Sequence, residues 1–294
     1  MRPAHEKINR ASPGPCCKKG WPPLHRHWWA DGGRRMRMIP PYFTKGELHV
    51  WHADPDLTGA QGARRASLDL LDAGERDRMR RFRFEADGAV YLAAHALLRS
   101  ALSRLAPVDP RLWRFRTGEH GKPFVDEPSS HRHLAFSLSH TAGRVAVAVA
   151  TGAAVGVDVE HAGRAASLLE HPDRFLSPAE ARTLRALPPE ARRDRFLAYW
   201  TLKESYLKAC GLGLSVPLQD LSFHLDEGPR VRVSFEPTIR DDPASWQFLC
   251  LAATSDHPMA VAIRREEGTE APVRVHEARE IPLFPPEDGT GSRP

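Results

Sequence analysis

Hydrophobic and polar residues in the middle of the chain follow two periods, one typical of helices and one typical of strands. From about Asp87 to Leu105, apolar residues recur three and four positions apart, which predicts an amphipathic helix. From Arg144 to Thr151, valines alternate with alanines, which predicts a strand whose hairpin partner is Leu134 to Leu138. Two shorter elements precede these, a strand from Glu47 to Trp51 and a helix from Asp72 to Arg80.

A second series of predicted elements begins near residue 154, with a strand followed by helices and further strands. Ala154 to Glu160 is predicted to be a strand, and a long helix is predicted from about Pro189 to Cys210, ending at Gly211. A capping box with proline at the first helical position is predicted at Ser177, Pro178 and Glu180. The later predicted strands are Leu221 to Leu225, Arg230 to Phe235, Trp246 to Ala253 and Met259 to Arg264.

These patterns predict an α+β (α/β) fold in two halves of similar size, residues 46–151 and 152–266. Residues 1–45 have no period and many prolines, so we expect a disordered basic tail. Met36 and Met38 lie just before the first predicted strand, so a start later than the assigned one is the alternative to a translated tail. Residues 267–294 are polar and rich in Pro and Gly, and we expect a second disordered tail.

Composition narrows the class of protein. The 294 residues are 41% hydrophobic and 27% charged, which is typical of a globular enzyme with a proper core. No apolar run approaches the roughly 20 residues of a membrane helix, and no secretory segment is evident, so we expect a cytoplasmic protein. The four cysteines lack the spacing of a disulfide framework and are expected to be reduced.

The basic net charge belongs to one end of the chain. Residues 1–45 hold ten lysines and arginines against two acidic residues, a balance of +8. The whole chain carries +5, so the remainder carries −3. A nucleic-acid-binding domain therefore has little support within the predicted globular part.

Two carboxylates share one face of the strand that begins the second half. Gly156, Asp158 and Glu160 lie on the same side because side chains alternate, and the carboxylates are about 7 Å apart. A hard cation between them could bind both, and Gly156 leaves room beside it. An edge strand with a solvated polar face explains the same pattern, so both interpretations stay open on these residues alone.

The long helix adds a third carboxylate and two ammonium groups. Glu204 and Lys208 lie one turn apart on the same face, and Lys203 is adjacent to Glu204. Carboxylates that bind Mg²⁺, beside lysines that neutralise phosphate charge, are typical of a site that binds a diphosphate. An exposed Glu to Lys pair on a helix surface is the alternative.

Two turns add further polar groups in the first half. Gly121, Lys122 and Pro123 predict a tight turn with a protruding lysine. A bend of the predicted hairpin, where backbone and side chains can bind an anion, contains Ser139, His140 and Thr141. Each turn is more often purely structural when it occurs alone.

Five motifs occur in one order along the chain. They are Gly121-Lys122-Pro123, Phe136-Ser137-Leu138-Ser139-His140, Gly156-Val157-Asp158-Val159-Glu160, Phe175-Leu176-Ser177 and Trp200-Thr201-Leu202-Lys203-Glu204-Ser205-Tyr206-Leu207-Lys208. In order and spacing, the chain resembles a 4′-phosphopantetheinyl transferase of the large single-chain type, which activates nonribosomal peptide and polyketide synthases. The resemblance covers about residues 47–264, and the third and fifth motifs carry most of its specificity.

The resemblance implies a pseudo-dimer of two similar α/β halves, with coenzyme A bound in the cleft between them. It implies Mg²⁺ held by Asp158, Glu160 and Glu204, and catalysis by Glu204, Lys208 and Asp158. The implied contacts to coenzyme A are Arg78, Arg99, Lys122, Pro123, Ser139, His140, Lys203 and Lys208. Arg81 belongs to the same basic segment as Arg78, and Glu75 stands where relatives often carry a lysine, which puts phosphate contacts from that helix in doubt.

The implied reaction moves 4′-phosphopantetheine from coenzyme A to a serine of an apo acyl or peptidyl carrier protein. A monomer is expected, and the particular carrier is not indicated. Three rival functions are a non-catalytic coenzyme A or nucleotide-binding module, a metal-dependent phosphohydrolase, and a nucleic-acid binder acting through residues 1–45. Three converging carboxylates favour the transferase over a binding module, which has no need of them.

Overall fold

A computed structural model describes residues 47–281 of the chain, except residues 59–60, 119, 214–215, 226–229 and 267–268. The predicted tail over residues 1–45 lies outside the described residues. Across the described ranges, no helix is both long enough and apolar enough to cross a bilayer.

The first half consists of a strand, three helices, a small hairpin and two further strands. In chain order these are β1 (Leu48–Ala53), α1 (Gln61–Leu70), α2 (Ala73–Arg80), α3 (Glu85–Leu105), β2 (Arg114–Thr117), β3 (Pro123–Glu127), β4 (Leu134–Thr141) and β5 (Arg144–Thr151). The predicted helix and hairpin of this half are confirmed, with ends shifted by a few residues.

The second half repeats the same order of elements. They are β6 (Val155–Val159), α4 (Ala165–Leu169), α5 (Pro178–Ala186), α6 (Pro189–Cys210), β7 (Leu221–His224), β8 (Arg232–Phe235), β9 (Trp246–Thr254) and β10 (His257–Arg264). The sheets also correspond, because the strand order β1-β5-β4 in the first half matches β6-β10-β9 in the second. The expected α+β fold in two similar halves is therefore confirmed.

Strand β5 joins the two halves because both of its faces are buried. Its valines, including Val147, pack with α3 in one hydrophobic cluster. Its alanines, including Ala148, pack against Val157 of β6 and Val261 of β10 in another. The small alanines allow the two sheets to approach closely, so the alternation read from the sequence fixes how the halves meet.

The ends of the long helices follow the predicted capping signals. Ser177 and Glu180 form a reciprocal capping box at the start of α5, with Pro178 at the first helical position. Helix α6 ends at Gly211, whose φ of 70° is in the left-handed region that favours glycine.

Two predictions of secondary structure differ from the structure. Within the expected C-terminal tail, β11 (Val273–Glu277) pairs in parallel with β1, and Ile281 is buried beyond it. The segment is too short and polar to be recognised alone, because its order depends on the open edge of β1. The residues Ser139 and His140 lie within β4 and not in the bend, which is formed at Gly143 with a φ of 73°.

Candidate active site

Helix α6 presents three side chains at four-residue spacing toward strand β6. Trp200 Nε1 donates to Glu160 Oε1 at 3.0 Å, and Lys208 Nζ donates to Asp158 Oδ1 at 2.6 Å. Glu204 lies between these two contacts along the helix, on the same face. The three predicted carboxylates therefore lie on the facing sides of β6 and α6.

Asp158 is buried at 4% exposure and belongs to a three-way polar cluster. Ser139 Oγ donates to Asp158 Oδ1 at 2.9 Å, and Lys208 Nζ also donates to Ser139 Oγ at 2.8 Å. Because Ser139 lies in the first half and the other two residues in the second, this cluster crosses the junction between the halves.

Glu160 is held by a second cation that the motifs did not identify. Arg164 Nη1 donates to Glu160 Oε1 at 2.8 Å, four residues further along the chain. Its position could have been suspected from that spacing, since Arg164 follows the acidic strand directly. The other oxygen, Glu160 Oε2, is buried with no hydrogen-bond partner among the described residues, as is Asp158 Oδ2.

The three carboxylates repel one another. Burial raises the pKa of Glu204, and the negative charges of Asp158 and Glu160 raise it further against the opposing effect of Lys208. Burial and Asp158 likewise raise the pKa of Glu160. A cation in contact with these groups would relieve the repulsion, although in the described part of the chain no three such side chains form a ready-made metal-binding group.

Gly156 has a different role from the one predicted. A Cβ atom at this position would lie 1.9 Å from the Ser205 carbonyl oxygen and 2.6 Å from the Ala209 nitrogen. The space beside Gly156 is therefore filled by the backbone of α6, and not left for a cation. The glycine allows the helix to pack close enough for Lys208 to reach Asp158.

Lys203 does not face the site, which contradicts its predicted contact with coenzyme A. Its ammonium is fully buried, 2.7 Å from Glu180 Oε2, and donates to the carbonyl oxygens of Leu218 and Leu221 at 2.6 and 2.7 Å. One residue along a helix changes direction by about 100°. Lys203 therefore points toward α5 and β7 while Glu204 points toward β6.

Arg99 is also structural, contrary to its predicted contact with coenzyme A. The side chain is fully buried, and its guanidinium donates to Glu75 Oε2 at 2.7 and 3.0 Å and to Asp72 Oδ2 at 3.2 Å. Glu75 stands in α2 as the partner of Arg99 and of His95 Nδ1, 2.8 Å away. The acidic residue at position 75 thus holds α2 against α3.

Lys122 does not protrude from its turn. Its ammonium donates to the carbonyl oxygens of Val155 at 3.0 Å and Ala209 at 2.6 Å, and its stem packs against Gly211. Burial lowers the pKa of Lys122 to about 8. This lysine joins the first half to the C-terminal end of α6, so its predicted contact with coenzyme A is wrong for the ammonium group.

Ser139 is buried with its hydroxyl group already bonded, whereas three other predicted contacts to coenzyme A remain accessible. Arg78 is exposed, with its guanidinium 5.9 Å from the centre of the Tyr91 ring, and Pro123 is exposed at the start of β3. His140 is exposed near the C-terminal end of β4. Partial desolvation and the nearby Lys208 ammonium lower its pKa.

A cavity of about 460 Å³ lies apart from these carboxylates, in the second half. Tyr206, Cys210, Asp241 and Trp246 are among its lining residues, and Asp241 accepts from both Tyr206 Oη and Trp246 Nε1 at 3.0 Å. None of the predicted site residues lines this cavity, so it is distinct from the carboxylate cluster.

Comparisons with known proteins agree with the order of motifs. Residues 154–262 match the 4′-phosphopantetheinyl transferase superfamily, and residues 61–152 match the family described as 4′-phosphopantetheinyl transferase, N-terminal. The chain is 30% identical over 226 residues to the 4′-phosphopantetheinyl transferase HetI of Nostoc, covering 76% of this chain and 91% of that protein.

Two further relatives give the same result. The phosphopantetheinyl transferase of Thraustochytrium is 34% identical over 71% of this chain and 77% of its own length. The 4′-phosphopantetheinyl transferase Sfp of Bacillus subtilis is 32% identical over 65% of this chain and 86% of its own length. These relatives show that the chain is an enzyme of the transferase class. The chain belongs to the 4′-phosphopantetheinyl transferase superfamily, and the resemblance read from its motifs is confirmed.

Proposed function

We propose that this enzyme carries out a magnesium-dependent transfer of 4′-phosphopantetheine from coenzyme A to a serine of an apo acyl or peptidyl carrier protein. The observation that carries the proposal is the 2.6 Å contact of Lys208 with Asp158, on the helix face that also bears Glu204. It combines a phosphate-neutralising cation with carboxylates suited to a hard metal ion.

The residues present fit Mg²⁺ as the cofactor. The buried oxygens Asp158 Oδ2 and Glu160 Oε2 have no hydrogen-bond partner among the described residues, and Glu204 is crowded by both carboxylates. Asp158, Glu160 and Glu204 would hold the ion, which when bound supplies positive charge to neutralise the diphosphate of coenzyme A. Oxygen ligands with a high negative charge are the set that Mg²⁺ prefers.

In the proposed reaction, the carrier's serine oxygen attacks the β-phosphorus of coenzyme A. A new bond forms between oxygen and phosphorus, and the bond to the bridging diphosphate oxygen breaks. Adenosine 3′,5′-bisphosphate leaves with the electron pair. Lys208 stabilises the negative charge on the phosphate oxygens, as preorganised cations do in phosphoryl transfer.

Glu204 is the proposed general base for the serine proton. Burial and the neighbouring Asp158 raise its pKa from the usual value, which brings it closer to the pH at which proton transfer is efficient. We further propose that His140, Arg78 and Pro123 contact the adenosine 3′-phosphate end of coenzyme A. They are accessible and lie in the first half, across the junction from Lys208.

The proposed acceptors are carrier proteins of fatty-acid, polyketide or nonribosomal peptide synthesis, and the proposed state of the enzyme is a cytoplasmic monomer. The thiol of Cys210 is free, which suits a reducing compartment. The alternative, a non-catalytic coenzyme A-binding module, has no need of Asp158, Glu160 and Glu204 beside Lys208.

The decisive experiment incubates the protein with Mg²⁺, coenzyme A and apo carriers of each class, and weighs the carriers intact. We expect a gain of one phosphopantetheinyl group that disappears with EDTA and with Glu204→Gln. Glu190→Gln, at an exposed position in the first turn of α6, is the matched control and should retain full activity. A protein that binds coenzyme A but modifies no carrier would favour the binding module.

A further inference from the structure

Among the described residues, strand β6 has a strand partner on one edge only. It pairs with β10, and there the Glu160 N–H donates to the Pro258 carbonyl oxygen at 3.0 Å. Backbone N–H groups point alternately to the two edges of a strand, so those of Val157 and Val159 face the edge without a strand partner. Buried N–H groups of this kind require an acceptor.

Hydroxyl groups of β4 supply the acceptors. The three hydrogen bonds run from the N–H of Val157 to Ser137 Oγ at 3.1 Å, from Val159 to Ser139 Oγ at 3.3 Å, and from His161 to Thr141 Oγ1 at 3.2 Å. Donors and acceptors both advance by two residues at each step. We call this set of three side chains the hydroxyl ladder, and it takes the place of backbone pairing between the halves.

The middle hydroxyl of the ladder also belongs to the active site. A serine hydroxyl has one donor and two acceptor positions. Ser139 Oγ donates to Asp158 at 2.9 Å and accepts from Lys208 at 2.8 Å and from the Val159 N–H. All three positions are thus used within the protein, which leaves none for a phosphate of coenzyme A.

We propose that the hydroxyl ladder fixes the register of the two halves, and that Ser139 is a positioning residue that holds Asp158 against Lys208. Ser139 then acts through these two side chains and not by contact with coenzyme A. This inference rests on the proposed function for its catalytic readout. The ladder itself is a property of the fold and can be tested separately.

The catalytic test compares Ser139→Ala with Ser137→Ala as its matched control. Both variants lose one hydroxyl of the ladder, but only Ser139 contacts Asp158 and Lys208. We expect Ser139→Ala to lower kcat by at least about tenfold, because small misplacements of reacting groups are costly, with KM for coenzyme A changed less than about threefold. Ser137→Ala should stay within about threefold of the wild type, and Ser139→Thr, which keeps the hydroxyl, should restore most of the loss.

Dephospho-coenzyme A, which lacks the 3′-phosphate, separates positioning from phosphate contact. A positioning role predicts the same fold loss in Ser139→Ala with either donor. Selective loss with coenzyme A is instead expected for His140→Ala, the proposed 3′-phosphate contact. If Ser139→Ala behaves like His140→Ala, or keeps wild-type kcat, the positioning role is wrong.

Amide hydrogen exchange measured by NMR tests the ladder without reference to catalysis. Ser137→Ala should speed exchange at the Val157 amide more than at the Val159 amide. Ser139→Ala should speed exchange at the Val159 amide more than at the Val157 amide. Unchanged rates at both amides would overturn the ladder. A wild-type protein that modifies no carrier but shows these exchange effects would refute the proposed function and leave the ladder intact.

Discussion

Lys203 and Glu180 form a fully buried ion pair, with 2.7 Å between Nζ and Oε2. The pair lies on a different face of α6 from the face that bears Glu204. Glu180 also accepts from the backbone N–H groups of Ser177 at 2.8 Å and Phe223 at 2.8 Å. A lysine that stands within the most recognisable motif of the chain therefore joins α6 to α5 and β7.

Lys203→Ala should lower the free energy of unfolding by about 3 to 5 kcal/mol, because it leaves the buried Glu180 carboxylate without a charge partner. Denaturant unfolding measures this change. The double variant Lys203→Met with Glu180→Gln should be less destabilised than Lys203→Ala, since no unpaired charge remains. At a temperature where Lys203→Ala is folded, its KM for coenzyme A should match that of the wild type. A large rise in this KM would show that Lys203 contacts coenzyme A.

Gly156→Ala should destabilise the protein by more than about 3 kcal/mol or prevent folding, because the new methyl group would overlap the α6 backbone at Ser205. Gly62→Ala is the control, at an exposed position in α1 with no atom within 4 Å of the added Cβ. Thermal unfolding should show a gain for the control of about 0.5 to 1 kcal/mol. A folded, stable Gly156→Ala protein would contradict the close approach of α6 to β6.

The histidines of β1 and β11 should make stability fall in acid. Burial lowers the pKa of His276 to about 4, with His49 and Arg274 contributing, and its ring lies 3.1 Å from His49 Nδ1. Between pH 6.5 and 4 the unfolded chain binds the proton that folded His276 excludes. Stability therefore falls as the pH drops through this range, by up to about 1.4 kcal/mol per pH unit for one such group.

Urea unfolding at pH 7 and pH 5 measures this dependence. His276→Gln should reduce the difference between the two pH values, whereas His133→Gln, at an exposed position, should leave it unchanged. Equal pH dependence in the wild type and in His276→Gln would show that other groups cause the acid sensitivity.

Variants at Arg99 and Arg78 should affect different properties, the stability of the fold and the binding of coenzyme A. Arg99→Lys loses the planar fork that bonds Glu75 and Asp72, and should destabilise the protein by about 3 kcal/mol without changing KM for coenzyme A. Arg78→Ala, at an exposed position, should do the reverse and raise that KM at unchanged stability. Steady-state kinetics and denaturant unfolding of the two variants measure these effects. A raised KM in Arg99→Lys together with lost stability in Arg78→Ala would contradict both assignments.

The sequence by itself determined the α+β class, the division into two halves of similar size and the face of several elements. The alternation of valine and alanine in β5, the capping box at Ser177, and the spacing of Glu204 and Lys208 are local patterns. Each depends only on residues that are close together in the chain. These patterns predicted two halves of similar size, and the order of the motifs, through the family resemblance, predicted that Asp158, Glu160 and Glu204 belong to one site.

Only the tertiary structure decided which partner each side chain contacts. Lys122 bonds carbonyl oxygens 33 and 87 positions away in the chain, and Ser139 bonds Asp158 and Lys208 across the junction between the halves. Strand β11 is ordered only because β1 offers an open edge. A local pattern gives the direction of a side chain, but its partner comes from a distant segment, and burial there decides whether a polar group contacts substrate or holds the fold together.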